Sequence, residues 1–154
     1  MPFFDSDHII EQRAGYSIKE FFNREGEECF RDFEEQVIKE LSAGEGSCVL
    51  STGGGSVLRA INRDRLRSRC KVIYLRSAPE DVYRRLRNDQ TRPLLQVADP
   101  LQRLRDLFSE RDPLYRETAH FVIETGRPSV STLVNMVMMQ LELAGVTVSA
   151  VADR

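Results

Sequence analysis

Short apolar runs alternate along the chain with stretches in which apolar residues recur every three or four positions. "MPFF" at the start, "SCVLS" at 47–51, "KVIYL" at 71–75 and "HFVIE" at 120–124 have the length and composition of buried strands, and a helical pattern follows each. Such alternation predicts an α/β fold of three layers, a mainly parallel sheet with helices on both faces. The predicted helices have marked ends. Ser17 with Glu20 and Ser77 with Glu80 fit the S-x-x-E capping box, Pro79 falls in a first turn, and Gly26, Gly44 and Gly145 fall where helices should stop. Phe30, Phe33, Val37 and Leu41 form one core stripe; Leu133, Val134, Val137, Met138 and Leu141 form another.

Two stretches break the rhythm. Residues 88–100, "NDQTRPLLQVADP", are too long for a tight connection and read as a lid. "VTVSAVADR" at 146–154 reads as a weakly ordered tail, which leaves a single domain over 1–145.

At 154 residues and a net charge of -2, the chain is long enough for one core and has no general attraction for nucleic acid or an anionic membrane. Of 22 basic residues three are lysine, so 19 are arginine, whose fixed fork of donors suits carboxylate and phosphate. Cys29, Cys48 and Cys70 are odd in number and lack any C-x-x-C spacing, which argues for buried free thiols in a reducing cytoplasm rather than disulfides or a zinc knuckle. The sequence shows no charged-then-apolar leader and no apolar run of about 18 residues, and the expectation is a soluble cytoplasmic protein.

Ligands of parallel sheets bind beyond the carboxyl ends of the strands, so the residues just after each apolar run are the candidates for chemistry. Asp5 and Asp7 follow the first run. In an extended segment they would point the same way, one holding a metal's water and the other accepting a substrate hydroxyl; an N-cap for the helix over "IIEQR" is the alternative. "TGGGSV" follows the second run. A turn needs one glycine or two, whereas three in a row, Gly53, Gly54 and Gly55, predict backbone laid against a ligand or another loop. It is not a nucleotide phosphate loop, because G-x-x-x-x-G-K-[ST] requires a Gly-Lys pair and the chain has none. Arg31 lies beside the first core stripe with Glu27 and Glu35 four residues to either side, the spacing of a surface ion-pair ladder. Arg92 falls in the lid, and Arg111 at a helix end before Pro113.

In order, "FFDSD", "FRDFEE", "TGGGSV", "RPLL" and "RDPLY" resemble shikimate kinase, and the resemblance runs from Pro2 to about Leu141. It implies a P-loop kinase of the nucleoside-monophosphate-kinase type that transfers the γ-phosphoryl of ATP, with Mg2+, to the 3-hydroxyl of shikimate on the route to chorismate and the aromatic amino acids. By the resemblance, Asp7 binds shikimate hydroxyls and polarises the acceptor, and Asp5 contacts magnesium through water. Arg31 and Arg111 grip the substrate carboxylate, Glu34 orients the substrate arginine, and Gly54, flanked by Gly53 and Gly55, offers its backbone to the ring. Arg92 closes on ATP phosphates, and Arg127 lies near the adenine.

Members of the family begin with a strand, a G-x-x-x-x-G-K-[ST] loop and a helix before the segment that resembles "MPFFDSD", where this chain starts. The resemblance therefore implies an N-terminally truncated fold that lacks its central strand, with Met1 an internal methionine of a longer product, and negligible kinase activity from these residues alone. Two alternatives are a non-catalytic shikimate-binding variant and a kinase for another small acid such as gluconate. The family is usually monomeric; for a chain with open strand edges, self-association is the alternative.

Overall fold

The computed structural model describes residues 1–87, 97–126 and 129–147. Strand β1 (Phe3–Asp5) pairs in parallel with β2 (Val49–Ser51), Phe3 opposite Val49, and β3 (Ile73–Arg76) pairs in parallel with β4 (Phe121–Glu124), Ile73 opposite Phe121. Parallel neighbours need a long crossover, and helices supply it in both cases. Helices α1 (Ser6–Ala14) and α2 (Ile18–Ser42) link β1 to β2, while α4 (Pro79–Leu86) and α5 (Pro100–Thr118) link β3 to β4. Helix α3 (Ala60–Arg69) connects the two pairs, and α6 (Val130–Leu143) ends the described fold. The expected α/β architecture with parallel pairing is present, but as two two-stranded sheets rather than one.

The helix ends follow the sequence in part. Asp5 is the N-cap of α1, its Oδ1 accepting from the amides of Asp7 at 3.0 Å and His8 at 3.3 Å, so Asp5 and Asp7 do not share one extended segment. Ser17 caps α2 by accepting from the Glu20 amide, but the Glu20 carboxylate turns to Arg24 instead of closing the box. Gly26, at φ 80° and ψ 171°, breaks α2 into two helical segments, a conformation that costs a side chain dearly and glycine little. The second predicted capping box does not form. Ala78 is the N-cap of α4, with Pro79 in its first turn, and Ser77 Oγ contacts Thr125 Oγ1 and accepts from Arg85. Nor does Pro113 end its helix: α5 runs on through it to Thr118, so Arg111 sits within the helix, where packing of the buried Arg111 and Thr118 overrides the proline's missing amide.

The main core lies between α1 and α2. Ile10, Phe21, Phe30 and Val37 are buried there, with Phe21 edge-on to Phe30 at 5.7 Å between centroids and Phe22 tilted on Phe30 at 4.8 Å. Burying side chains of this size stabilises by roughly 1.5–3 kcal/mol each before chain entropy is set against it. The first predicted stripe is therefore right, with Phe33 left at its edge and 38% exposed. The second is right only in part: Leu133, Val137, Met138 and Leu141 are half-buried, no residue of α6 is fully buried, and Val134 is 53% exposed. Leu75 of β3 and Val122 of β4 are exposed as well, so α6 has only a small two-stranded sheet to pack on. Cys29 and Cys70 are partly buried and unpaired, while Cys48 is exposed, against the expectation of three buried thiols.

No described helix is long and apolar enough to cross a membrane. Residues 88–96 of the expected lid, with Arg92, lie outside the described residues, as do Arg127 and residues 148–154 of the expected tail.

Candidate active site

The turn after β2 is the hub. Gly53 opens it, Gly54–Val57 form a single 3-10 turn, and three other elements place side chains against its glycines. A Cβ on Gly53 would lie 2.7 Å from Asp7 Oδ1, on the first turn of α1. On Gly54 it would lie 3.1 Å from the Tyr115 hydroxyl and 3.4 Å from Arg111 Nη1, both on α5. On Gly55 it would overlap the guanidinium of Arg31 on α2. Each glycine thus faces a different side chain, with overlap at Gly53 and Gly55 and a tight approach at Gly54. The close neighbour that three glycines announce is, in the folded chain, the protein's own set of charged groups.

Two hydrogen bonds tie the turn's glycines to other elements. The Gly53 amide donates to Oγ of the fully buried Ser6 at 3.3 Å, and the Tyr115 hydroxyl donates to the Gly54 carbonyl at 2.6 Å. Sequence reading passes over Tyr115, although its place four residues after Arg111 puts both on one helix face.

Arg31 and Arg111 are both buried, and their surroundings differ. Arg31 donates from Nη1 to Glu34 Oε1 at 2.9 Å and from Nη2 to Glu27 Oε1 at 3.4 Å. The predicted ladder partner Glu35 goes elsewhere: with Asp32 and Glu28 it clasps Arg59, tying α2 to the start of α3. Glu34 is 1% exposed, and burial pushes its carboxyl above the ordinary 4.5 even though the Arg31 charge and hydrogen bond pull it down. Arg111 makes no ion pair among the described residues, and its Nε, like Arg31 Nε and Glu34 Oε2, is buried without a partner there. A buried charge lacking a counter-ion is costly by several kcal/mol. Two guanidinium groups with unused donors beside one turn have the chemistry to hold a small anion, since the fork matches the paired oxygens of a carboxylate or phosphate.

Asp5 spends Oδ1 on its helix cap, and no group of three or more His, Cys, Asp or Glu among the described residues could enclose a metal ion. The donor set fits an outer contact through water and not an inner cage; magnesium in phosphoryl-transfer sites commonly keeps several waters in this way.

The family model described as shikimate kinase matches residues 1–142. The shikimate kinase of Paracidovorax citrulli (strain AAC00-1) is 60% identical over 148 residues, which cover 95% of this chain and 81% of that protein. The shikimate kinase of Ralstonia nicotianae is 58% identical over 153 residues, covering 99% and 80%. Among solved structures, shikimate kinase from Acinetobacter baumannii in complex with shikimate superposes with a TM-score of 0.86 at 44% identity, covering 94% of this chain and 79% of that one. Shikimate kinase from Aquifex aeolicus gives 0.77 at 30% identity, covering 94% and 83%.

Proposed function

The chain belongs to the shikimate kinase family, and from that premise we propose that the cluster around Gly53–Gly55 holds shikimate as the acceptor for a phosphoryl group from ATP. One observation carries the reading: Arg111, buried and without an ion pair among the described residues, stands with Arg31 against the same glycine turn. The substrate carboxylate supplies the missing counter-charge. Glu34 holds the Arg31 fork in place, and Asp7 accepts the ring hydroxyls and polarises the one that attacks. Gly54 lends its backbone to the ring, and Gly53 and Gly55 leave the space that Asp7 and Arg31 occupy beside it. Arg92 and Arg127 serve ATP, and Asp5 meets magnesium through water. Magnesium, when bound with ATP, neutralises developing phosphate charge; what these side chains contribute is alignment of the acceptor, since phosphoryl transfer leaves little covalent work to the protein.

The two sheets fit one further reading. Among the described residues β2 pairs with β1 alone and β3 with β4 alone, and we infer that the two pairs are halves of one sheet whose middle position takes another parallel strand. The 154 residues contain no G-x-x-x-x-G-K-[ST]. Loss of one preorganised electrostatic donor typically costs 10²–10³ in rate, so these residues alone bind shikimate and turn over negligible ATP.

Calorimetric titration with shikimate, with gluconate as control, tests the site, and a coupled ATP assay tests turnover. Saturable shikimate binding without turnover is expected. Thermal protection by gluconate and none by shikimate would sink the assignment. Intact mass of the natively expressed product, paired with turnover on that material, shows whether an active form carries more residues than these.

A further inference from the structure

The polar groups of the site are held by more than the residues assigned to substrate. Tyr115 spans two of its parts: the hydroxyl donates to the Gly54 carbonyl at 2.6 Å, and both that oxygen and Arg111 Nη1 border the same space beside Gly54, where the Arg111 charge acts on the phenol. Its ring is braced from behind. Tyr74 packs on it at 4.8 Å between centroids and anchors its own hydroxyl on Asp112 Oδ1 at 2.8 Å, and Asp112 also accepts from Arg76 and Arg116. The position of Tyr115 is therefore set from β3 and α5, independently of any bound molecule.

We propose that Tyr115 is a positioning residue that clamps the Gly54 carbonyl and the Arg111 guanidinium in one geometry, so that the arginine fork is aligned for a carboxylate before it arrives. Chemistry supports this use of a phenol. Burial pushes the Tyr115 hydroxyl above its ordinary 10.0 despite the charge of Arg111, so it stays protonated and remains a donor throughout the neutral range. A protonated phenol donates one hydrogen and still accepts, so one oxygen serves both the carbonyl and the guanidinium. Arg111 lacks a carboxylate to fix its fork among the described residues, and a clamp of this kind takes that place. Preorganised donors cost no ordering when the ligand binds.

The inference rests on the shikimate-site reading, and its test separates the two. Tyr115→Phe keeps the ring and its contact with Tyr74 and removes only the hydroxyl. Binding of shikimate and of its carboxamide, which lacks the anionic carboxylate, is measured by calorimetry for the 154-residue chain and for the variant. Loss of a hydrogen bond that aligns a charged group is expected to weaken shikimate about fivefold to tenfold and the carboxamide less than about twofold. Equal weakening of both ligands would mean general loosening of the site, and unchanged shikimate binding by a folded variant would mean no role; either result overturns the clamp. Absence of shikimate binding by the unaltered chain would overturn the site reading itself, and the clamp with it. Tyr115→Leu, which also removes the ring, should weaken shikimate further than Tyr115→Phe.

Discussion

The α1–α2 side of the molecule and the β3–β4–α6 side use similar apolar stripes to different ends. On the first, Phe21, Phe30 and Val37 close over Ile10, and the face of α2 next to that core delivers Arg31 and Glu34, buried, to the glycine turn. On the second, Ile123 alone is buried on the strands, while Leu75, Val122, Val134, Met139 and Leu143 remain exposed. Apolar spacing says which side of a helix is fit for burial. Whether it is buried depends on a second surface, and α6 lacks one large enough. The charged groups differ too: Glu34 is enclosed with one paired oxygen, whereas Asp112 on α5, 15% exposed, accepts from Tyr74, Arg76 and Arg116.

The contrast is broken most severely at Phe30. Phe30→Ala removes a ring that touches Phe21 and Phe22 at the centre of the first side, and large-to-small changes at such sites cost about 3–5 kcal/mol. The matched change on the other side, Val134→Ser, should stay within about 0.5 kcal/mol because the residue is already half in water. Urea midpoints decide it. Comparable losses from the two variants would mean that α6 is packed in solution and the asymmetry is wrong.

Gly55→Ala tests the site without touching the core. Its Cβ would overlap the Arg31 guanidinium, which must then leave its pairing with Glu34 or its place beside the turn. Shikimate affinity should fall by at least about tenfold, with a stability cost of about 1–3 kcal/mol from the forced shift. Gly126→Ala is the control on the other side, since among the described residues its Cβ would meet Asp81 Oδ2 alone, at an ordinary 3.5 Å. Gly55→Ala binding as the parent does would remove the steric account of the triple glycine.

How much of this was legible in the sequence follows from what each feature depends on. Strand-helix alternation, the α2 stripe and the Gly26 break rest on local spacing and backbone preference, and all three are present. The α6 stripe, the Ser77 cap and the end of α5 at Pro113 depend on tertiary neighbours, and each differs from the local expectation. Candidate site residues show the same division. The glycine run predicted close approach of something, but only the fold shows that Asp7, Arg31, Arg111 and Tyr115 are what approaches. Tyr115 had a weak signal in its spacing from Arg111, and the Arg59 clasp had none, because its three carboxylates lie 24 to 31 residues away along the chain.

The smallest expected effect is in the pH dependence of stability, where the two sides should act with opposite sign. Burial raises Glu34 above 4.5, so the folded chain holds that proton to higher pH than the unfolded chain does. Its contribution is present below 4.5 and is lost as pH rises through the elevated value. For Asp112 burial acts upward, but hydrogen bonds from Tyr74, Arg116 and Arg76 outweigh it and hold the carboxyl below 3.8. That contribution is present above 3.8 and is lost as pH falls through the depressed value. Subtracting the urea midpoints of Glu34→Gln from those of the parent across the pH range should give a difference that changes on the alkaline side of 4.5, and Asp112→Asn one that changes on the acid side of 3.8. Differences of the same sign from both variants would mean that Glu34 is ionised through its pairing with Arg31 at all these pH values, and that its burial costs less than the unpaired Oε2 implies.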